Sequence, residues 1–231
     1  MPIEESAPAR LTHSQIHGVY SRLYPLYGSG EKIAERQPAE LALKLAAVGP
    51  GEKVLEVAVG PGNVHTHLAH LARDIGRGTV GGGTVVGADL TPAMLARTVQ
   101  RFRQEALPTP LLCRCDACSL PFAEQSFDLV FCAYLLDLLS VESIAEALRE
   151  MRRVLRPGGR LALVHLGMSH EGFNRIWGFF YWLIPTMLGG CRPIRVAPHL
   201  SALGWEVLQA REVVCWGIPS DVILARRVEK Q

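Results

Sequence analysis

The chain has 231 residues, 48% of them hydrophobic and 20% charged, which is long enough for one sizeable core and too apolar for a disordered chain. Twenty-four Lys and Arg stand against 22 Asp and Glu, and a formal net charge of +2 argues against a nucleic-acid partner held by phosphate neutralisation. Glu4 and Glu5 fall where a secretory signal would be basic, and the six cysteines read as reduced residues, so a cytoplasmic compartment is expected.

Apolar positions at helical spacing, Ile16 through Val19, Leu23 and Leu26 and then Leu41 through Leu45 to Val48, predict a helical cap over residues 11–48 broken near Gly28 and Gly30. After Gly49-Pro50-Gly51, Lys53 to Ala58 suits a buried parallel strand, Gly60-Pro61-Gly62 turns the chain, and a helix should open at Asn63. Gly76 to Gly83, with five glycines, reads as a flexible insertion. Thr84 to Ala88 is the second strand and ends in Asp89; Thr91 is the expected helix cap, with Pro92 at the first helical position.

Leu111 to Cys115 forms a third strand that ends in Asp116, and Phe127 to Ala133 a fourth. Val141 to Leu155 is helical by period and is stopped by Arg156-Pro157-Gly158-Gly159, after which Arg160 to Leu166 is the fifth strand. Trp205 to Trp216 and Asp221 to Val228 are joined through Gly217-Ile218-Pro219, too short for a crossover helix, so they should pair antiparallel at a sheet edge. The expected fold is α/β: a Rossmann-like, seven-stranded, mostly parallel sheet with helices on both faces and an antiparallel C-terminal edge hairpin. A single domain over 1–231 is expected, divided into the cap (11–48), a cofactor-binding core (49–166), a substrate lid (167–200) and C-terminal strands (201–231).

The turn from Glu56 to Val64 presents helix N–H groups and bare backbone to a ligand. A dinucleotide fingerprint wants a third glycine where this chain has His65, which weakens an NAD reading. Asp89 at the end of the second strand can accept hydrogen bonds from ribose hydroxyls, and Asp116, followed by the small Ala117, can receive the exocyclic amine of adenine. Taken singly each aspartate could equally be a helix cap or a turn former; at successive strand ends, on the face where open α/β sheets bind ligands, coincidence is much less favoured.

These residues resemble the class I S-adenosylmethionine-dependent methyltransferases, particularly the quinone methyltransferases and the bacterial phospholipid N-methyltransferases. The resemblance rests on Val54 to Gly62, on Gly87 to Leu95, on Asp116-Ala117 with Leu120-Pro121-Phe122, on Ser126-Phe127-Asp128 and on Val154 to Gly159. It implies S-adenosylmethionine as cofactor, with Gly60 and Gly62 under its methionine end, Asp89 on the ribose, Leu90 and Met94 near the adenine, and Asp116 with Ala117 at the adenine edge. Glu56 and Ala58 belong to the same loop, Ala58 replacing the usual first glycine. An N-terminal pair of tyrosines in the group's pattern matches Tyr20 and Tyr27, and Tyr20 carries over as a lid residue on the cofactor side.

Methyl transfer from a sulfonium needs chiefly alignment and exclusion of water. A phenol or ring-carbon acceptor would also use a general base, for which Tyr134, Asp137 and His165 are the candidates, each with helix capping or packing as the plainer alternative. Six of the chain's 16 aromatics fall between Phe173 and Leu188, suggesting a lid over an apolar acceptor, a peripheral membrane contact through 173–188, or simply a core or dimer helix. Cys113, Cys115 and Cys118 are read as core cysteines rather than a thiolate metal site; of the histidines His65, His67 and His70 that follow the glycine loop, His67 and His70 share a helix face, which is read as solvated rather than metal-binding. The expected activity is methyl transfer to a small, apolar or lipid-like acceptor of quinone or phospholipid type. The alternatives are methylation of a polar amine or other metabolite, an NAD-dependent oxidoreductase, and a cofactor-binding protein without turnover.

Overall fold

The computed structural model describes residues 3–9, 18, 31–76, 83–168, 171–184 and 190–228. Strands β2 (Lys53–Val57), β3 (Thr84–Asp89), β4 (Leu111–Arg114), β5 (Phe127–Ala133), β6 (Leu155–Leu166), β8 (Trp205–Cys215) and β9 (Ile218–Arg227) form one seven-stranded sheet in the order β4-β3-β2-β5-β6-β9-β8. The first five run parallel, while β9 lies antiparallel to both β6 and β8. The strand order reverses between β2 and β5, opening a crevice at their carboxyl ends, the usual ligand position of an open α/β sheet.

Helices cover both faces. Ala42 and Ala46 of α1 (Glu31–Ala46) and Leu68 of α2 (Asn63–Gly76) pack with Val54, Leu129 and Phe131 on one face. On the other face, Ile144, Ala147, Leu148 and Met151 of α4 (Val141–Val154) pack with Leu55, Val57 and Val130. Helix α4 follows directly from its sequence: its apolar residues recur at helical spacing, Ser140 caps it by accepting from Ser143 N–H, and Arg152 and Arg153 sit in its last turn. Helix α3 (Pro92–Gln104) starts at Pro92 as expected, but the Thr91 side chain makes no capping bond. Asp89 accepts from Thr91 N–H at 2.8 Å and so fixes the turn that leads into the helix.

Three details depart from the expectation. β6 begins at Leu155, five residues early, because Leu155 pairs with Phe127 before a register shift and the turn at Gly158. The β8–β9 turn is Trp216-Gly217 alone, both at positive φ (54° and 78°), the geometry of a two-residue hairpin turn; Ile218 and Pro219 already belong to β9. A second, two-stranded sheet pairs β1 (Glu4–Glu5) with β7 (Ile194–Arg195), held by a fully buried Arg192. Its guanidinium donates to Glu5 Oε2 and to the carbonyls of Asp137 and Leu139. The cap of 11–48 is described essentially from residue 31 onward, and residues 77–82 of the glycine-rich insertion lie outside the described residues. Among the described residues no helix is long and apolar enough to cross a membrane.

Candidate active site

The loop after β2 is shaped by three positive φ angles, at Ala58 (61°), Gly60 (54°) and Gly62 (82°). Holding alanine in the left-handed region costs on the order of 1–2 kcal/mol. The two glycines serve different ends. A Cβ on Gly60 would meet nothing nearer than Ala58 O at 3.9 Å, so this backbone borders open space. A Cβ on Gly62 would lie 2.9 Å from Thr98 Cγ2, so this glycine exists for the close approach of α3. The helix in turn staples the loop: Thr98 Oγ1 donates to Gly60 O at 2.9 Å and Arg101 Nε to Pro61 O at 3.0 Å.

The two strand-end aspartates are tied down by backbone amides. Asp89 Oδ2 accepts from Gly60 N–H at 2.9 Å, linking the end of β3 to the glycine loop, while its Oδ1 holds Thr91. Asp116 Oδ1 accepts from Cys118 N–H at 2.9 Å, and Asp116 O from Ser119 N–H at 3.0 Å. Each therefore serves the turn that its sequence position suggested. Each also borders a cavity of about 590 Å³ at the carboxyl end of the sheet.

That cavity gathers most of the candidates on the cofactor side: Glu56, Ala58 and Gly60 from the loop, Asp89, Leu90 and Met94 from the β3–α3 junction, and Asp116 with Ala117 after β4. Gly62 does not line it, and Tyr20, like Tyr27, lies outside the described residues. Unforeseen contributors come from α1, namely Glu35, Arg36, Ala39, Glu40 and Leu43, and from Leu135, Leu138 and Leu139 after β5. No sequence motif marks the α1 residues; only the amphipathic spacing of that helix hinted that one face was occupied.

Among its charged lining residues the cavity is acidic. Glu35, Glu40, Glu56, Asp89, Glu105 and Asp116 outnumber Arg36 and Arg101. Such walls suit a cationic ligand and oppose the two negative charges of a dinucleotide pyrophosphate. The third-glycine position is filled by a fully buried His65, whose Nδ1 lies 2.8 Å from Glu56 Oε2 and whose ring centroid is 5.4 Å from that of Phe102. The solvated-face expectation for His67 and His70 agrees with the exposure of both, whereas His65 is buried. Burial pushes the Glu56 carboxyl above its ordinary range, partly offset by His65.

The candidate bases separate. Tyr134 lines the cavity with φ 53°, its hydroxyl 3.0 Å from Ser220 Oγ, and burial drives its phenol well above the usual range, so at neutral pH it is a donor. Asp137, in the 3₁₀ turn Leu136–Leu138, is fully buried and does not line the cavity; burial pushes its carboxyl up to about 6, against the pull of nearby amides and Arg192. His165 is likewise fully buried and away from the lining, with Nδ1 3.2 Å from Leu166 O and its pKa lowered by burial to about 4. Cys115 also borders the cavity; Cys115 and Cys118 pack against the core, with burial raising their thiols to about 12 and about 11.

Helix α5 (Glu171–Leu183) carries the aromatic segment; residues 185–188 lie outside the described residues. Tyr181 is buried and Trp177 Nε1 donates to Cys191 O at 3.0 Å. Ile176, Phe179, Phe180, Trp182 and Leu183 are exposed, Trp182 at 65%.

Residues 54–159 match the family model described as a methyltransferase domain. The 2-phytyl-1,4-naphtoquinone methyltransferase of Synechococcus elongatus is 28% identical over 186 residues, covering 76% of this chain and 75% of its own. The chain spans about half the length of the first curated relatives it matches, uncharacterized mycobacterial proteins 33% identical over 177 residues, of which 55% is covered. Among solved structures, the N-methyltransferase NodS from Bradyrhizobium japonicum, in complex with S-adenosyl-L-homocysteine, superposes with a TM-score of 0.67 at 17% identity, covering 94% of this chain and 98% of that one. The [4+2]-cyclase SpnF superposes with a TM-score of 0.73 at 18% identity, covering 98% and 100%. One fold therefore carries more than one reaction, and the reaction must be argued from the site.

Proposed function

We propose that the chain is a class I S-adenosylmethionine-dependent methyltransferase similar to the quinone methyltransferase group, which the methyltransferase-domain match and the quinone methyltransferase relatives support, and that it methylates a small apolar acceptor of quinone or lipid type. The observation that carries this reading is that one cavity joins two kinds of wall. Acidic strand ends and bare glycine backbone line it, and so do Leu43, Leu135, Leu138 and Leu139. A volume of about 590 Å³ is within the range of small-molecule sites.

The residues present fit S-adenosylmethionine. Gly60 leaves open space where a Cβ would project, and the surrounding carboxylates suit a cation that also offers ribose hydroxyls and an adenine amine as donors. Asp89 would hold the ribose, Asp116 and Ala117 the adenine edge, Leu90 and Met94 its faces, and the loop from Glu56 to Gly60 the methionyl end. The bound cofactor supplies an activated methyl group on a cationic sulfur. The chain then needs to align a nucleophile and keep water out, which the leucine walls favour. Tyr134, protonated at neutral pH, would orient an acceptor oxygen by donating to it rather than remove its proton.

The exposed apolar face of α5 supports delivery of the acceptor from a lipid surface, with Trp182, Phe179 and Phe180 as the inserting side chains. Glu35, Glu40 and Glu105 favour a second reading, a polar amine acceptor drawn in by charge. Incubation of the protein with a fractionated lipid and metabolite extract and tritium-labelled S-adenosylmethionine separates them. Label in a quinone or lipid fraction is expected, label in a soluble amine supports the second reading, and cofactor binding without label anywhere overturns both.

A further inference from the structure

We propose that His65 is a positioning residue which holds the Glu56 carboxylate against the cavity, and that the pair releases a proton when a cationic ligand enters, so that S-adenosylmethionine is distinguished from its uncharged-sulfur product. The inference rests on the cofactor reading above and deepens it. Glu56 lines the cavity and His65 does not, so His65 can reach a ligand only through its 2.8 Å contact with Glu56.

The pair is fixed from every side. The side chains of His65 and Glu56 are 1% and 4% exposed, and Phe102 of α3 packs on the imidazole. A Cβ on Gly87 of β3 would come within 3.0 Å of His65 Cε1, so that glycine makes room for the ring. A histidine at this depth carries a polar ring into the core for some return. Here the return is a donor held on a carboxylate whose ionised form burial disfavours.

In its Nδ1–H tautomer a neutral His65 donates to ionised Glu56, and the pair bears one negative charge. With one more proton the pair is neutral. Asp89 of β3 and His67 of α2 act on Glu56 in opposite senses, the first favouring its protonated and the second its ionised form, while the Cys132 thiol of β5 also feels its charge. Glu35, Arg36 and Glu40 of α1, and Arg101 with Glu105 at the end of α3, face the same cavity. The sulfonium of S-adenosylmethionine adds a positive charge that the thioether of S-adenosylhomocysteine lacks. The former therefore gains more from expelling the extra proton, and it does so less as rising pH removes that proton beforehand.

Calorimetry of the full chain with each ligand, in two buffers of different ionisation enthalpy at about pH 6 and about pH 8, counts the protons. The expected result is more proton release with S-adenosylmethionine than with S-adenosylhomocysteine at the lower pH, with the excess shrinking at the higher. Glu56→Gln should abolish the excess and lower the affinity ratio between the two ligands about tenfold. His65→Gln keeps a donor on Glu56 without the imidazole, so it should retain more of the ratio than Glu56→Gln while changing the proton count. Equal proton release by both ligands in the wild-type protein overturns the proposal even if neither variant folds. Binding of both ligands with equal proton counts sinks the pair alone, whereas binding of neither sinks the cofactor reading and the pair with it.

Discussion

Asp89→Ala tests whether the strand-end carboxylate serves the ligand as well as the loop. The side chain accepts from Gly60 N–H at 2.9 Å and from Thr91 N–H at 2.8 Å, so its removal strips an ionised acceptor from two amides. A hydrogen bond to a charged group is worth about 1.5–3 kcal/mol, and at this half-buried position the lower value applies, giving a loss of about 3 kcal/mol in stability from the two. A carboxylate has roughly four acceptor sites, which leaves it capacity to receive ribose hydroxyls as well. Affinity for S-adenosylmethionine should therefore fall by a further 1.5–3 kcal/mol, about ten- to a hundredfold. Urea denaturation measures the first quantity, and calorimetry on the folded fraction measures the second. A variant with lowered stability and unchanged affinity would leave Asp89 a loop fastener and remove it from the binding site.

The glycines of the loop should separate in the same two assays. Gly60→Ala is expected to cost about 1 kcal/mol of stability, the strain of its positive φ, but to weaken cofactor binding more than tenfold by filling the open space beside it; Gly62→Ala should cost about 2–4 kcal/mol through the clash with Thr98, and little affinity in the molecules that fold. His165, whose pKa falls from the ordinary 6.5 to about 4, binds its proton less readily when folded than when unfolded. It contributes stability that is complete above about pH 6.5 and drains away towards pH 4, by up to about 3 kcal/mol. Asp137, raised to about 6, acts in the opposite sense and costs stability as pH rises from its ordinary 3.8. The difference between wild type and His165→Gln therefore isolates the histidine, and parallel pH–stability curves by chemical denaturation would contradict its burial as the neutral form. On α5, joint replacement of Phe179 and Trp182 by Ala should reduce co-sedimentation with anionic liposomes at least severalfold and leave cofactor affinity unchanged, whereas the hydrogen-bonded Trp177 should matter to stability instead.

Much of the fold is legible because its signals are local. Phe127 to Ala133 is an apolar run between turns, interrupted only by Asp128, and forms a strand with those limits, and Pro92 starts α3 because its missing N–H costs nothing there. The small β1–β7 sheet was not legible. Two residues pairing with two others have no periodicity, and the contact that fastens them, Arg192 to Glu5, joins positions 187 apart in the chain. Nothing near Arg192 in the sequence distinguishes it from the exposed arginines of the same charge class.

The site divides along a related line, between depth along a strand and direction around it. Position at a strand end is readable, and it brought Glu56, Asp89 and Asp116 to one cavity. His165 is also near a strand end, but it pairs with Asp221 across β6 and β9 on the face shared with Leu161 and Leu163, and the packing on that face buries it. Asp137 illustrates the same limit in a turn: Arg192 holds the carbonyls of Asp137 and Leu139 from 55 and 53 positions away, a constraint on that turn with no trace in the residues around it. His65 is the reverse case. No motif marks it as a buried partner, yet the absence of a side chain at Gly87 on β3 opens the space that takes the ring inward to Glu56. Which of these polar residues can serve chemistry was thus decided by the partner each one met across the sheet, and that information is carried by the packing rather than by the motif.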